Sequence, residues 1–91
     1  MPQKGNGRSK NGRLKKRLEI GQYLVRDPEI YHGELTFKGT RVPVSVVLAY
    51  LAKGISVDEV PQHWPDVSPD AAKEALILAR EAMLEKYQKA A

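Results

Sequence analysis

At 91 residues the chain holds a single domain. A domain of this size buries only roughly 60–65% of the surface its unfolded form exposes, so partners or self-association add readily to its stability. The absence of cysteine excludes a disulfide framework and a thiolate metal site and fits a reducing cytoplasm, the expected location; no apolar run approaches the roughly 20 residues that cross a bilayer, and none follows the basic N-terminus as in a secretory signal. The net charge of +4 is unevenly divided: seven cations (Lys4, Arg8, Lys10, Arg13, Lys15, Lys16 and Arg17) precede the first acid, Glu19, whereas residues 20–91 hold eight basic and ten acidic side chains.

Residues 1–22 therefore read as a flexible basic arm, and residues 23–88 as the folded domain. Residues 1–13 offer almost nothing to bury and are expected to be disordered. Residues 14–22 (LKKRLEIGQ) predict a short helix that forms only on a partner, being too short to persist alone. Such an arm suits a polyanion, nucleic acid or an acidic protein pocket, with Arg8, Arg13, Lys15, Lys16 and Arg17 as its candidate contacts. A plain solubilising tail has the same composition.

Tyr23-Leu24-Val25 predicts a short strand and Asp27-Pro28 a turn. Leu35-Thr36-Phe37 and Thr40-Arg41-Val42 flank Lys38-Gly39 and predict a small hairpin, with Gly39 supplying positive φ and Lys38 exposed at the tip. Pro43 suits a first helical turn, and Val44, Val47, Leu48 and Leu51 share one helical face, closed by Gly54 as a left-handed cap. Ser56-x-x-Glu59 is a capping box that opens a short helix to about Trp64, with Val57, Val60 and Trp64 inward and an irregular turn at Pro61. Ser68-Pro69-Asp70 opens the last helix, which runs to about Gln88.

On that helix Ala72, Leu76, Ala79 and Met83 form the expected core stripe, widened by Ala75 and Ala82. Ile77 and Leu84 fall on nearly the opposite side, flanked by Lys73, Arg80 and Tyr87. They are either ordinary exposed apolar residues or a second seam, Ile77, Arg80, Leu84 and Tyr87, that meets a dimer mate or partner helix. A homo-oligomer is the expectation. The fold class expected is mainly α: a three-helix bundle of helix-turn-helix outline with a small N-terminal hairpin and a disordered arm. Residues 44–64 carry that outline, yet the second helix holds two acids, no Lys and no Arg, and would repel phosphates.

No assembled catalytic, cofactor or metal site is visible, and the chain is not expected to be an enzyme. His32 and His63 stand in no ligand spacing, and Ser45, Ser56 and Ser68 all have helix-start roles. Arg41, beside the Gly39 turn, has two open readings. Its guanidinium either forks onto a phosphate or partner carboxylate, or ties the hairpin to Asp66 or Glu59.

The string Gly39-Thr40-Arg41-Val42-Pro43-Val44 gives the chain a family resemblance, with Asp27-Pro28 and Gly33 before it and Ala52-Lys53-Gly54, Ser56-x-x-Glu59, Trp64-Pro65-Asp66 and an alanine-rich last helix after it. Over residues 23–84 it resembles the small prokaryotic proteins grouped as domain of unknown function 433. The resemblance implies a homeodomain-like helical fold and an antitoxin, commonly paired with a PIN-like ribonuclease toxin. The basic arm lies outside the family pattern, and Pro61 and Trp64 replace a more usual aliphatic residue and tyrosine. The expected function is thus neutralisation of such a toxin, with DNA bound in second place through the arm and the Lys38 and Arg41 hairpin. The alternatives are a DNA-binding regulator without a toxin and a protein-only adaptor whose arm enters an acidic groove.

Overall fold

A computed structural model of the chain describes residues 16–88. The expected disorder of residues 1–13, and the candidate contacts Arg8, Arg13 and Lys15, fall outside that range. Among the described residues three antiparallel strands, β1 (Leu18–Ile20), β2 (Leu24–Arg26) and β3 (Leu35–Phe37), lie in the order β1-β2-β3. Three helices follow: α1 (Val44–Ala52), α2 (Val60–His63) and α3 (Pro69–Tyr87).

The expectation that residues 14–22 stay unstructured until a partner folds them into a helix is corrected where the structure describes them, because Leu18–Ile20 is a strand of the sheet and the ordered chain begins before Tyr23. Glu19 pairs with Val25 and Ile20 with Leu24, giving the backbone a ladder that an isolated two-turn helix lacks. The β1–β2 turn is clamped from a distance. Gly21 sits at φ 64, and the Glu74 carboxylate of α3 accepts the Gln22 and Tyr23 backbone N–H groups at 2.8 and 2.7 Å. The positive φ of Gly21 favours glycine, and a Cβ there would stand 2.7 Å from that carboxylate and force it to shift.

The expected hairpin is replaced by a different pairing. β3 pairs with β2 (Leu24 opposite Phe37, Val25 opposite Thr36), while residues 40–42 contribute no strand. The Thr40 hydroxyl donates to the Phe37 carbonyl at 2.9 Å and accepts the Val42 N–H at 3.0 Å, winding the segment into a turn toward α1. A single bridge, Thr36 to Pro43, remains, since proline has no N–H with which to extend it. Lys38-Gly39 does form the turn, with Gly39 at φ 76. The β2–β3 connection starts at the Asp27 turn, whose side chain accepts the Glu29 N–H at 2.9 Å, and ends in a 3-10 turn over Tyr31–Gly33.

Pro43 is the extended residue before α1 rather than its first turn (ψ 137). At the other end the Gly54 and Ile55 N–H groups reach the Leu51 and Tyr50 carbonyls at 3.1 and 3.4 Å, the two bonds of a Schellman cap. Ser56 N–H donates to Glu59 at 2.7 Å, and the chain passes through a 3-10 turn, Val57–Glu59, into α2, changing helix type next to Pro61. The Ser68 hydroxyl caps α3 by accepting the Ala71 N–H at 3.1 Å, with Pro69 as first helical residue.

Leu24 and Phe37 from the sheet, Val44 and Val47 from α1, Val60, Val67, and Ala71, Ala72 and Ala75 from α3 form the core, with Leu48, Leu51, Val57, Trp64 and Leu78 packed on it. The core stripe expected on α3 is corrected. The helix turns Ala71, Ala72, Ala75 and Leu78 to the body, leaving Leu76 and Met83 exposed at 41% and 60%. Ala79 and Ala82, also on the expected stripe, are exposed as well. Thr36 is fully buried, and its hydroxyl has no hydrogen-bond partner among the described residues.

Candidate partner-binding surfaces

Of the cations expected to contact a polyanion, Lys16 is exposed, whereas Arg17 and Lys38 are engaged by acids of the sheet. Lys38 Nζ lies 3.1 Å from Glu19 and is partly buried rather than exposed at a tip. Arg17 lies 3.4 Å from the same carboxylate and 3.8 Å from Asp27. The Lys38 hydrogen bond, then its charge, then Arg17 hold the Glu19 carboxyl below its ordinary value. One acid between two cations joins the edge strand to the β3–α1 turn and leaves those cations less charge to offer a phosphate.

Arg41 behaves differently. It is exposed and makes no ion pair or hydrogen bond among the described residues, so neither Asp66 nor Glu59 is its structural anchor. It lines a cleft of about 640 Å³ with Ile30, Gly39, Thr40, Val42 and Asp66.

Most of the exposed large apolar side chains among the described residues lie on α3. Leu76, Ile77, Met83, Leu84 and Tyr87 are all exposed, Tyr87 to 72%. At about 100° per residue they span an arc of about 120°, with Arg80 and Lys73 inside it. The predicted seam Ile77, Arg80, Leu84 and Tyr87 is thus brought together on one face, joined by Leu76 and Met83, which the sequence pattern assigned to the core. Neither Lys73 nor Arg80 forms an ion pair among the described residues.

Two features escaped the sequence. Tyr50 of α1 meets Trp64 edge-on at a 4.9 Å ring separation and His63 at 5.5 Å, with Lys53 Nζ 5.8 Å from the Tyr50 ring. Aromatics 13 and 14 positions apart carry no periodic signal, and the cluster closes α1 onto α2. Tyr31 and His32 hold positive φ (51° and 59°) beside a cleft of about 480 Å³ shared with Glu34, Pro43, Ser45 and Val46. Few non-glycine residues adopt that backbone region, and two in succession carry no sequence signal. Among the described residues no group of three or more His, Cys, Asp or Glu could hold a metal ion, and no helix is long and apolar enough to cross a membrane.

A sequence model described as "Protein of unknown function (DUF433)" matches residues 24–79, from β2 through the buried half of α3. The chain belongs to the DUF433 family. The matched region contains the Arg41 cleft and Glu74, starts just after the Gln22 and Tyr23 amides that Glu74 holds, and stops before Arg80. Among solved structures the chain is similar to Rv2018 from Mycobacterium tuberculosis, with a TM-score of 0.59 and 31% identity over 69% of this chain. The match covers 31% of that protein, so this chain spans about a third of its length. No curated protein matches the chain.

Proposed function

We propose that this DUF433 protein is a non-catalytic, antitoxin-like module of the cytoplasm that binds and neutralises a PIN-like ribonuclease. The observation that carries the reading is the exposed apolar strip on α3 (Leu76, Ile77, Met83, Leu84 and Tyr87). Apolar side chains gathered on one side of a helix are a means of docking to protein. The engagement of Arg17 and Lys38 by Glu19 and Asp27 supports a protein partner ahead of DNA. The three-helix order fits a homeodomain-like arrangement, although its middle α-helix, α2, has only four residues.

A second reading, DNA binding as an autoregulatory or sole function, is favoured by the five cations without an acid in residues 1–15.

The test is co-expression with a PIN-like ribonuclease. The wild-type chain should co-purify and protect RNA, and Ile77→Glu with Leu84→Glu should lower affinity at least tenfold while the fold's circular dichroism is retained. A wild-type chain that neither binds nor protects overturns the proposal. In parallel, duplex-DNA anisotropy should compare the full chain with one starting at Lys16, because a start at Gly21 would delete β1. Sequence-selective binding by the shortened chain would favour the second reading.

A further inference from the structure

Five of the six residues in Gly39-Thr40-Arg41-Val42-Pro43-Val44 are occupied by the fold. Gly39 takes the positive φ of the turn, and the Thr40 hydroxyl holds it closed through Phe37 and Val42. Val42 packs on the core and its carbonyl accepts the Phe37 N–H at 3.2 Å. Pro43 bridges Thr36 and accepts the Val46 N–H at 3.2 Å, and Val44 is buried. Arg41 alone has an exposed side chain with no partner among the described residues. Its backbone is nonetheless held, because Thr40 is bonded on both sides of the turn that carries it.

Asp66 lines the same cleft, is exposed, and likewise makes no ion pair among the described residues. Its turn is fixed by the Val67 N–H on the Trp64 carbonyl at 2.9 Å, just ahead of the Ser68 cap. Arg41 and Asp66 therefore line a common opening from two tied turns, and Ile30 and Val42 belong to the same lining. We propose that this cleft recognises a polypeptide segment of a partner, one that presents a carboxylate to Arg41 and, beside it, a hydrogen-bond donor or cation to Asp66.

The chemistry selects peptide over nucleic acid. A guanidinium forks onto either a carboxylate or a phosphate. A phosphate backbone offers nothing to Asp66, which would repel it, whereas a peptide supplies both charges and apolar stems for Ile30 and Val42. The site shares with the α3 reading only the premise that the chain binds protein, and it lies on different elements.

The experiment is a titration of the ¹⁵N-labelled full chain, read at the Arg41 Nε–H and the Gly39 and Thr40 amides. The probes are a blocked Glu–Arg dipeptide, its Gln–Arg counterpart and inorganic phosphate. The Glu–Arg probe should give saturable shifts, with the other two at least about tenfold weaker, the scale of one charge-assisted bond. Arg41→Gln should abolish the shifts at unchanged Tm, and Arg41→Lys should keep a weakened response. The proposal is overturned if phosphate binds as well as the peptide, or if no probe shifts these groups at millimolar concentration. It is also overturned if Arg41→Gln and Asp66→Asn each lower Tm as much as the double variant does, which marks a structural ion pair. The Ile77→Glu, Leu84→Glu chain should titrate like wild type, so failure of the α3 reading registers separately.

Discussion

The two halves of α3 share a sequence pattern and differ in fate. Ala72 and Ala75 are sealed against the body, while Ala79 and Ala82, on the same stripe two turns further on, are exposed, as is every residue from Ala79 to Gln88. The cause is length. At about 1.5 Å per residue, the nine residues of α1 extend about 14 Å and the 19 of α3 about 28 Å, so α3 outruns the helix beneath it. Periodicity tells which residues share a face. What lies opposite decides whether that face is buried.

The largest effects should separate the halves directly. Ala72→Leu forces a side chain into a filled core and is expected to cost about 1–3 kcal/mol, whereas Ala79→Leu should stay within about 0.5 kcal/mol. Urea unfolding of both variants decides the matter. Equal losses would mean that the second half is packed in solution, and the contrast would fail. Next comes the clamp on the first half. Glu74→Gln weakens two charge-assisted bonds to Gln22 and Tyr23 and should cost about 1–2 kcal/mol, visible as early exchange of those two amides. Unchanged protection there would show that α3 is seated by apolar packing alone.

The smallest effect belongs to the exposed ion pairs of the sheet. Glu19 is held below its ordinary carboxyl value, first by the Lys38 hydrogen bond and then by the charges of Lys38 and Arg17. The folded state thus favours its ionised form. That contribution is complete above the ordinary carboxylate range and is lost as pH falls through the lowered value. Glu19→Gln should flatten this part of the acid limb of Tm against pH, and salt should shrink the difference, as screening does for exposed charges. A salt-independent difference would place the pair in a drier setting than its exposure allows.

Most of the helical frame was legible because its signals are local. Ser68-Pro69 and the Gly54 cap each act within a turn of chain, and the structure reproduces them. The strand pairing was not legible. Thr40-Arg41-Val42 has the composition of a hairpin arm, but the Thr40 side chain claims the backbone groups a ladder would use, and β2 pairs with β3 instead. Nor was Leu18–Ile20 recognisable as a strand, because the support for its turn comes from Glu74, 51 and 52 positions after the amides it holds. Of the site residues, the α3 seam followed from spacing, although its neighbours Leu76 and Met83 were assigned to the wrong side. The solitary condition of Arg41 emerged only once the roles of its neighbours were visible.

The clamp between Glu74 and the β1–β2 turn also sets an order of events during synthesis. The first strands leave the ribosome early, yet their turn lacks its acceptor until residue 74 has been made. At about 5–20 residues per second, the wait between the turn and its acceptor is roughly 3–10 s. Throughout it the Gln22 and Tyr23 amides lack their carboxylate, a few residues after a run of positive charge in the sequence. The clamp therefore closes late, when α3 brings Glu74 to the β1–β2 turn.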